Sequence, residues 1–272
     1  MISIISIYIF ILGLLIGSFL NVVIIRYNTG RSVDGRSGCM QCGYKLQWFD
    51  LFPVFSWLFL RGRCRKCSSK ISIQYPLVEL GTAVLFLGIF LKFQPYAVEP
   101  IFLNLIFIWN TIIAAILMII FAYDIKHKII PNELSYTFAA LAFLQTLYLF
   151  PVNQAIQLID WLNLSSGILM FLPFWALWKY SDGKWIGLGD GKLALGIGWY
   201  LGFVHAVSAI VLAFWIGAIF SLIFLLVDKL KSGSENITMK TEIPFAPFLI
   251  IGLLIEFFWQ LDVVGMGLFF MN

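Results

Sequence analysis

The chain has 272 residues, 61% of them hydrophobic, 17% aromatic and only 12% charged, with a net charge of +4 and a mean hydropathy of +0.94. A soluble domain is nearer half apolar and a quarter charged, so no water-soluble core can hold this much apolar side chain. Disorder, a disulfide scaffold and a nucleic-acid-binding domain are excluded. In chain order, apolar spans are predicted at about 3–25, 76–92, 100–123, 134–150, 161–178, 190–204, 207–227 and 246–266. Several approach or exceed the roughly 18–20 residues that cross a bilayer as helix. The stretch from Leu193 to Val227 is too long for one helix and is split near Gly202 and His205. The expected fold is all-α, a polytopic membrane bundle of about eight helices. A transmembrane barrel would show short alternating segments, and none is present. Span one lacks a basic n-region and runs unbroken towards Arg26, so it reads as a retained helix rather than a cleaved signal. The expected division is a first transmembrane helix (1–26), a loop domain (27–75) and an embedded domain (76–272).

The basic residues orient these spans. Arg26, Arg31, Arg36, Lys45, Arg61, Arg63, Arg65, Lys66 and Lys70 follow span one. Lys126 and Lys128 follow span three, Lys179, Lys184 and Lys192 follow span five, and Lys229, Lys231 and Lys240 follow span seven. Of the 18 basic residues, only Lys92 falls on the other side. Positive charge stays in the cytoplasm, so these loops face inward and both termini outward. The segment 228–243 reads as a polar, mobile inner loop.

All four cysteines lie in the 27–75 loop, as Cys39-Met-Gln-Cys42 and Cys64-Arg-Lys-Cys67. Two C-x2-C pairs can each wrap one face of a tetrahedral ion, which predicts a four-thiolate zinc site. A reducing cytoplasm argues against disulfides. Such a site has no open position, so the expected role is structural. Between the pairs runs a very apolar stretch, Trp48 to Leu60. Two readings stand: a membrane-interface element anchored by Trp48 and Trp57, or a small core under the metal.

The 14 acidic residues divide into two groups. Asp34, Asp50, Glu99, Asp160, Asp182, Asp228, Glu235, Glu242 and Asp262 read as mostly solvated. Glu79, Asp124, Glu133, Asp190 and Glu256 fall at or inside span boundaries, where charge is costly and tends to mark function. Asp124 sits at the inner end of span three. Asp190 sits in Gly187-Leu188-Gly189-Asp190-Gly191-Lys192 at the inner start of span six. Topology alone puts both at one depth. Two carboxylates meeting in a low-dielectric site cannot both ionise cheaply, and such a pair shares a proton. One can then act as base on a water and the other as acid towards a peptide carbonyl. On residues alone, a local Lys partner for Asp124 and a helix-capping role for Asp190 remain open. Glu256, near Trp259, Gln260 and Asp262, reads as structural or as an outer-interface group. The Gly187/Gly189 pair has no strand before it, so it is not a dinucleotide fingerprint.

The sequence resembles the bacterial type IV prepilin peptidases, a family of membrane aspartyl proteases that are leader peptidases and N-methyltransferases. The likeness rests on Gly187-Leu188-Gly189-Asp190 with Lys192-Leu193, and on Asp124 before Ile130-Pro131-Asn132. It also rests on Gly17-Ser18-Phe19-Leu20-Asn21 through Arg26, the tetracysteine pair with Arg61-Gly62-Arg63, and Tyr75-Pro76-Leu77-Val78-Glu79. Ile243-Pro244-Phe245-Ala246-Pro247 matches except that relatives usually carry Gly at Ala246. The resemblance implies Asp124 and Asp190 as the catalytic pair, supported by Gly187, Gly189, Lys192, Glu79 and Asn21. It implies cleavage of a short basic leader from prepilins or pseudopilins at the inner membrane face. It further implies methylation of the new amino terminus by S-adenosylmethionine, which no motif in the chain supports by itself. The 27–75 loop is basic, like the leader, so leader recognition would fall to Glu79, Asp34 or Asp50, and the basic residues to anionic lipid. Two other classes compete. A proton-coupled transporter would use Asp124, Asp190 and Glu256, but would show an inverted repeat. A zinc-ribbon membrane scaffold explains the cysteines and not the carboxylates.

Overall fold

In the computed structural model, residues 2–30, 32, 34–93, 100–151, 156–232 and 243–269 are described. Arg31, Glu99, Glu235, Lys240 and Glu242, and with them most of the inner loop expected at 228–243, lie outside those residues. The chain is an all-α membrane protein. Its helices are α1 (Ile2–Arg26), α2 (Phe55–Phe59), α3 (Gln74–Phe93), α4 (Pro100–His127), α5 (Asn132–Leu149), α6 (Leu158–Tyr180), α7 (Leu188–Leu201), α8 (Phe203–Ser232) and α9 (Ala246–Trp259). Among the described residues, five stretches are long and apolar enough to cross a membrane: Ile4–Arg26, Gln74–Phe93, Leu105–His127, Leu158–Tyr180 and Phe203–Val227. Helices α7 and α9 have 14 residues each. At 1.5 Å per residue they are about 21 Å long, shorter than the ~30 Å hydrocarbon layer.

Each predicted span has a helix, but three ends differ. α8 continues through Ser232, past Asp228, where the loop was expected to begin; Leu and Lys are good helix formers and extend it. α9 stops at Trp259 rather than near 266. Gln260 turns left-handed there, at φ 49°, and the Asp262 carboxylate accepts the Met266 and Gly267 N–H groups at 3.0 and 2.6 Å. α4 runs on to His127, so Asp124 is inside a helix rather than after one. The expected split between spans six and seven falls at Gly202, whose φ of +78° ends α7.

The chain packs as two units, residues 1–122 and 123–272. In the first, α1 lies against α3. Gly13 and Gly17 face the backbone of Ala83 and Glu79, with no room for a side-chain carbon. The buried Asn21 donates its Nδ2–H to the Tyr75 carbonyl at 3.0 Å, fixing the start of α3 to α1.

In the second unit α7 is central and packs on α5, α6, α8 and α9. Gly198 of α7 lies against the Ser166–Gly167 backbone of α6, where an added Cβ would come within 2.5 Å of a carbonyl. The end of α7 far from Asp190 is held by side-chain hydrogen bonds. Ser166 Oγ donates to Gly198 O at 2.8 Å, Thr146 Oγ1 to Trp199 O at 2.6 Å, and Trp199 Nε1 to Leu164 O at 2.9 Å. Nearby, His205 Nδ1 lies 3.1 Å from Glu256 Oε2, which is fully buried. The structural reading of Glu256 thus has a concrete partner, joining α8 to α9. Gly198→Val should force α6 and α7 apart, an overpacking cost of about 3 kcal/mol. Thermal unfolding of the purified protein in detergent should fall by roughly 5–10 °C relative to the parent chain.

Candidate active site and metal centre

The second unit gathers Asp124, Asp190, Gly187, Gly189 and Lys192, while Asn21, Glu79 and the cysteines belong to the first. Asp124 is 3% exposed and Asp190 8% exposed. They are close enough for the charge on Asp124 to act on Asp190. Among the described residues Asp124 makes no ion pair with a local Lys. Instead its carboxylate accepts the backbone N–H of Ala246, the first residue of α9. Its Oδ2 is buried and without a hydrogen-bond partner among the described residues. Asp190 lies in the first turn of α7 and accepts the N–H of Gly187, the residue preceding that helix. Asp190 is the third residue of α7 and not its N-cap, a place that Gly187 holds without a side-chain cap bond. Each carboxylate faces the N-terminus of a helix, where unpaired N–H groups and the helix dipole favour negative charge.

The turns that carry the two carboxylates are joined. Gly189 fits against Ile130, where an added Cβ would lie 3.0 Å from Ile130 Cβ. Lys192 Nζ donates to Asn132 Oδ1 at 2.7 Å and sits 5.0 Å above the Tyr136 ring. A side chain at Gly187 would press on Asp190 Oδ2 at 3.3 Å. The spacing of Ile130-Pro131-Asn132 marks this joint in the sequence. The Ala246 N–H was missed, although the prolines of its motif flank it.

In the first unit, Glu79 Oε2 accepts the Val54 N–H at 2.6 Å. Val54 has φ 62°, an unfavourable conformation for a β-branched residue. Asp50, expected in solvent, is buried and pairs with Arg65 at 2.9 Å, because the 3₁₀ turn Trp48–Leu51 folds it under the loop. Its carboxylate is engaged within the loop rather than offered to a leader. Glu133 is exposed.

The four cysteine sulfurs lie within 4.8 Å of one another, with Cys39 and Cys67 Sγ at 3.8 Å. Metal–sulfur bonds of about 2.3 Å in a tetrahedron require S···S edges of roughly 3.8 Å, so the residues fit a four-thiolate ion. The two knuckles repeat one geometry. Gly43 N–H reaches Cys39 O at 2.9 Å and Ser68 N–H reaches Cys64 O at 2.9 Å. Antiparallel bridges Gly38–Lys45 and Arg63–Lys70 close them. Gly43 and Ser68 both turn left-handed, at φ 66° and 57°. The N–H groups of Cys42 and Gln41 and the Ser69 hydroxyl pull the Cys39 thiol down to about 6. Ser69 lowers Cys67 likewise. At Cys42 the Tyr44 N–H also lowers the thiol, but partial burial and the crowd of Cys67, Cys39 and Cys64 outweigh it and push it up to about 11.

Over residues 111–222 the chain matches the family described as Type IV leader peptidase, and over 11–93 the Bacterial Peptidase A24 N-terminal domain. It is 30% identical to a Prepilin leader peptidase/N-methyltransferase of Xanthomonas campestris pv. campestris, over 93% of this chain and 91% of that one. The chain belongs to the type IV leader peptidase family. A relative of the same name from Pectobacterium carotovorum subsp. carotovorum is 31% identical over 89% of this chain and 88% of its own. One from Myxococcus xanthus is 32% identical over 81% of this chain and 63% of its own. No solved structure matches the chain. Within the family match at 111–222 lie both aspartates; within 11–93 lie the cysteines.

The purified protein should carry about one metal equivalent, as expected of a closed four-thiolate centre. A left-handed residue other than Gly costs roughly 1–2 kcal/mol. A chelator titration should therefore strip the metal from Gly43→Val at lower concentration than from the parent, and from Ser68→Gly at higher.

Proposed function

We propose that the chain is a membrane aspartic endopeptidase that removes the short basic leader of type IV prepilins or pseudopilins, with Asp124 and Asp190 as its catalytic pair. The observation that carries this reading is two buried carboxylates, the charge of Asp124 acting on Asp190, each facing a helix N-terminus. Two such groups share one proton. One carboxylate takes a proton from a water as that water attacks the scissile carbonyl. The other, protonated, donates to the carbonyl oxygen and later to the leaving amine. Gly187 and Gly189 leave the backbone beside Asp190 bare, so an extended substrate backbone can approach it. Lys192 acts on the pair by position, holding Asn132 and with it the turn after Asp124. Supporting roles for Asn21 and Glu79 follow as proposals: Asn21 ties α1 to α3, and Glu79 ties α3 to the loop. Placement in the bacterial inner membrane, with multiple spans, eight in number, and both termini outside, belongs to the same reading and rests on the charge asymmetry of the loops.

Zinc is the proposed ion of the cysteine cluster, held by Cys39, Cys42, Cys64 and Cys67, and its contribution is a cross-link that folds the loop. The relatives' name also includes N-methyltransferase, so the proposal extends to methylation of the new amino terminus, for which S-adenosylmethionine would supply the methyl group. A cavity of about 430 Å³ in the loop is lined by Gly35, Arg36, Ser37, Leu46, Gln47, Trp48 and Leu51. It offers an aromatic ring, but its charged side chain is a cation, the wrong sign for a sulfonium. No step is assigned to the donor there.

Asp124→Asn and Asp190→Asn should each reduce cleavage of a prepilin by about 10³-fold or more, because one carboxylate cannot serve as both acid and base. Mass spectrometry of the product in detergent measures this, with unchanged thermal unfolding as the control for folding. Near-parental turnover by either variant would overturn the dyad. Lys192→Met, which loosens the joint without touching a carboxylate, should slow turnover by roughly tenfold.

A further inference from the structure

The loop between α1 and α3 turns its largest apolar side chains outward. Trp48 is 72% exposed, Phe52 52%, Phe55 56%, Leu58 57% and Phe59 84%. A loop in water would bury these rings, and the second sequence reading, a small core under the metal, required it to. Trp57 alone turns inward: its Nε1 donates to Ile71 O at 3.2 Å, and its ring covers Gly62. It serves the second knuckle and is not a membrane anchor.

Two further observations say what covers the outward face. The first is depth. The Val54 N–H, at the start of α2, is bonded to Glu79, five residues into α3. That helix is itself long and apolar enough to span the membrane. The bond holds the apolar turn about 7 Å along α3 from its first residue, level with the first turns of a spanning helix rather than out in the cytoplasm. The second is charge. Arg61 and Arg63 follow α2 directly and are exposed, and Asp50, the acidic residue within this stretch, is buried against Arg65. The rim of the apolar face is therefore of one sign.

We infer that the 48–59 segment is an interfacial membrane-docking face: Trp48, Phe52, Phe55, Leu58 and Phe59 enter the headgroup–acyl boundary of the protein's own bilayer, with Arg61 and Arg63 on anionic headgroups. Apolar burial of this kind together with basic flanks is how short elements hold the interface. The occupant is the anionic lipid surface. A second copy of the chain or the helix of a substrate would leave the flanking arginines without an anionic partner. The inference is independent of the proposed peptidase chemistry, since it rests only on residues 48–79 and on the chain being a membrane protein.

The test uses the full chain in lipid nanodiscs containing about one-third phosphatidylglycerol. A photoreactive benzoylphenylalanine replaces Phe59 in one preparation and Phe55 in another. The control is Met40, an apolar side chain equally open at 66% exposure but placed on the first knuckle. Lipid adducts, read by mass spectrometry, should form at 59 and 55 at about five times or more the yield at 40. The yield at 59 should fall by about half in phosphatidylcholine alone. Equal lipid labelling at 40 and 59 would overturn the inference. So would adducts from 59 to a second copy of the chain, or to an added prepilin in preference to lipid.

Discussion

The second unit depends on α7 being thin. Lipid tails are as apolar as the side chains they meet, so helices in a membrane gain little by hiding apolar surface from water. They associate through close packing and through hydrogen bonds between them. Gly198 allows the backbones of α6 and α7 to touch, and Gly196 receives the Phe138 ring of α5. At that distance short side chains reach neighbouring carbonyls, as Ser166 and Thr146 do. α8 and α9 meet by the same device, Gly252 lying against the Ala209 carbonyl. With its far end bonded to α5 and α6, α7 delivers Asp190 at its near end without freedom to swing. A larger residue at one glycine would displace the carboxylate as well as the packing.

The fold meets the two buried carboxylates with backbone N–H groups rather than with lysines. The first N–H groups of a helix have no partner in their own helix. Gly187 presents one to Asp190 and Ala246 presents one to Asp124. A lysine ion pair would neutralise a carboxylate and occupy it. A backbone N–H steadies the charge and leaves lone pairs free, and Asp124 Oδ2 has no partner among the described residues. Lys192 is used beside the pair, on Asn132 and the Tyr136 ring, so its charge is near without being spent on either aspartate. Where the family resemblance leads one to expect Gly, this chain has Ala246. What Asp124 receives is the N–H, which both residues carry, and α9 leaves that position in a helical conformation that alanine adopts readily.

Composition and period made the helices legible, because a span is a continuous apolar run and the basic residues divide cleanly between alternate loops. Cys39, Cys42, Cys64 and Cys67 were legible because ligand spacing is local. The features that escaped were long-range or set by one residue. Nothing near Val54 announces that its N–H will reach Glu79, 25 positions away. Asp50 reads as a solvated acid until the 3₁₀ turn buries it against Arg65. The end of α9 is set by a single left-handed Gln260 and by Asp262 capturing two N–H groups, against an apolar run that continues beyond it. The Ala246 contact could be inferred only from a motif, since no pattern within α9 points at Asp124.

The cysteine loop shows why metal and membrane belong together in one small element. Fewer than 50 residues separate α1 from α3, and a segment of that size closes a hydrophobic core only with help from disulfides, metal or a partner. Here the rings that could have formed the core face outward, and the few buried groups are Pro53, Gly62, Cys64 and Asp50. Two knuckles of matching geometry therefore bring the ends of the loop together around four sulfurs, and their cohesion does not draw on Trp48, Phe55 or Phe59. Moving those rings inward would stabilise the loop as a free domain and remove its hold on the interface. The strained Val54, kept at φ 62° by the Glu79 carboxylate, lies at the hinge between these alternatives. Its bond to α3 keeps the apolar turn at the level of the membrane, so the loop is oriented by the helix it precedes rather than by a core of its own.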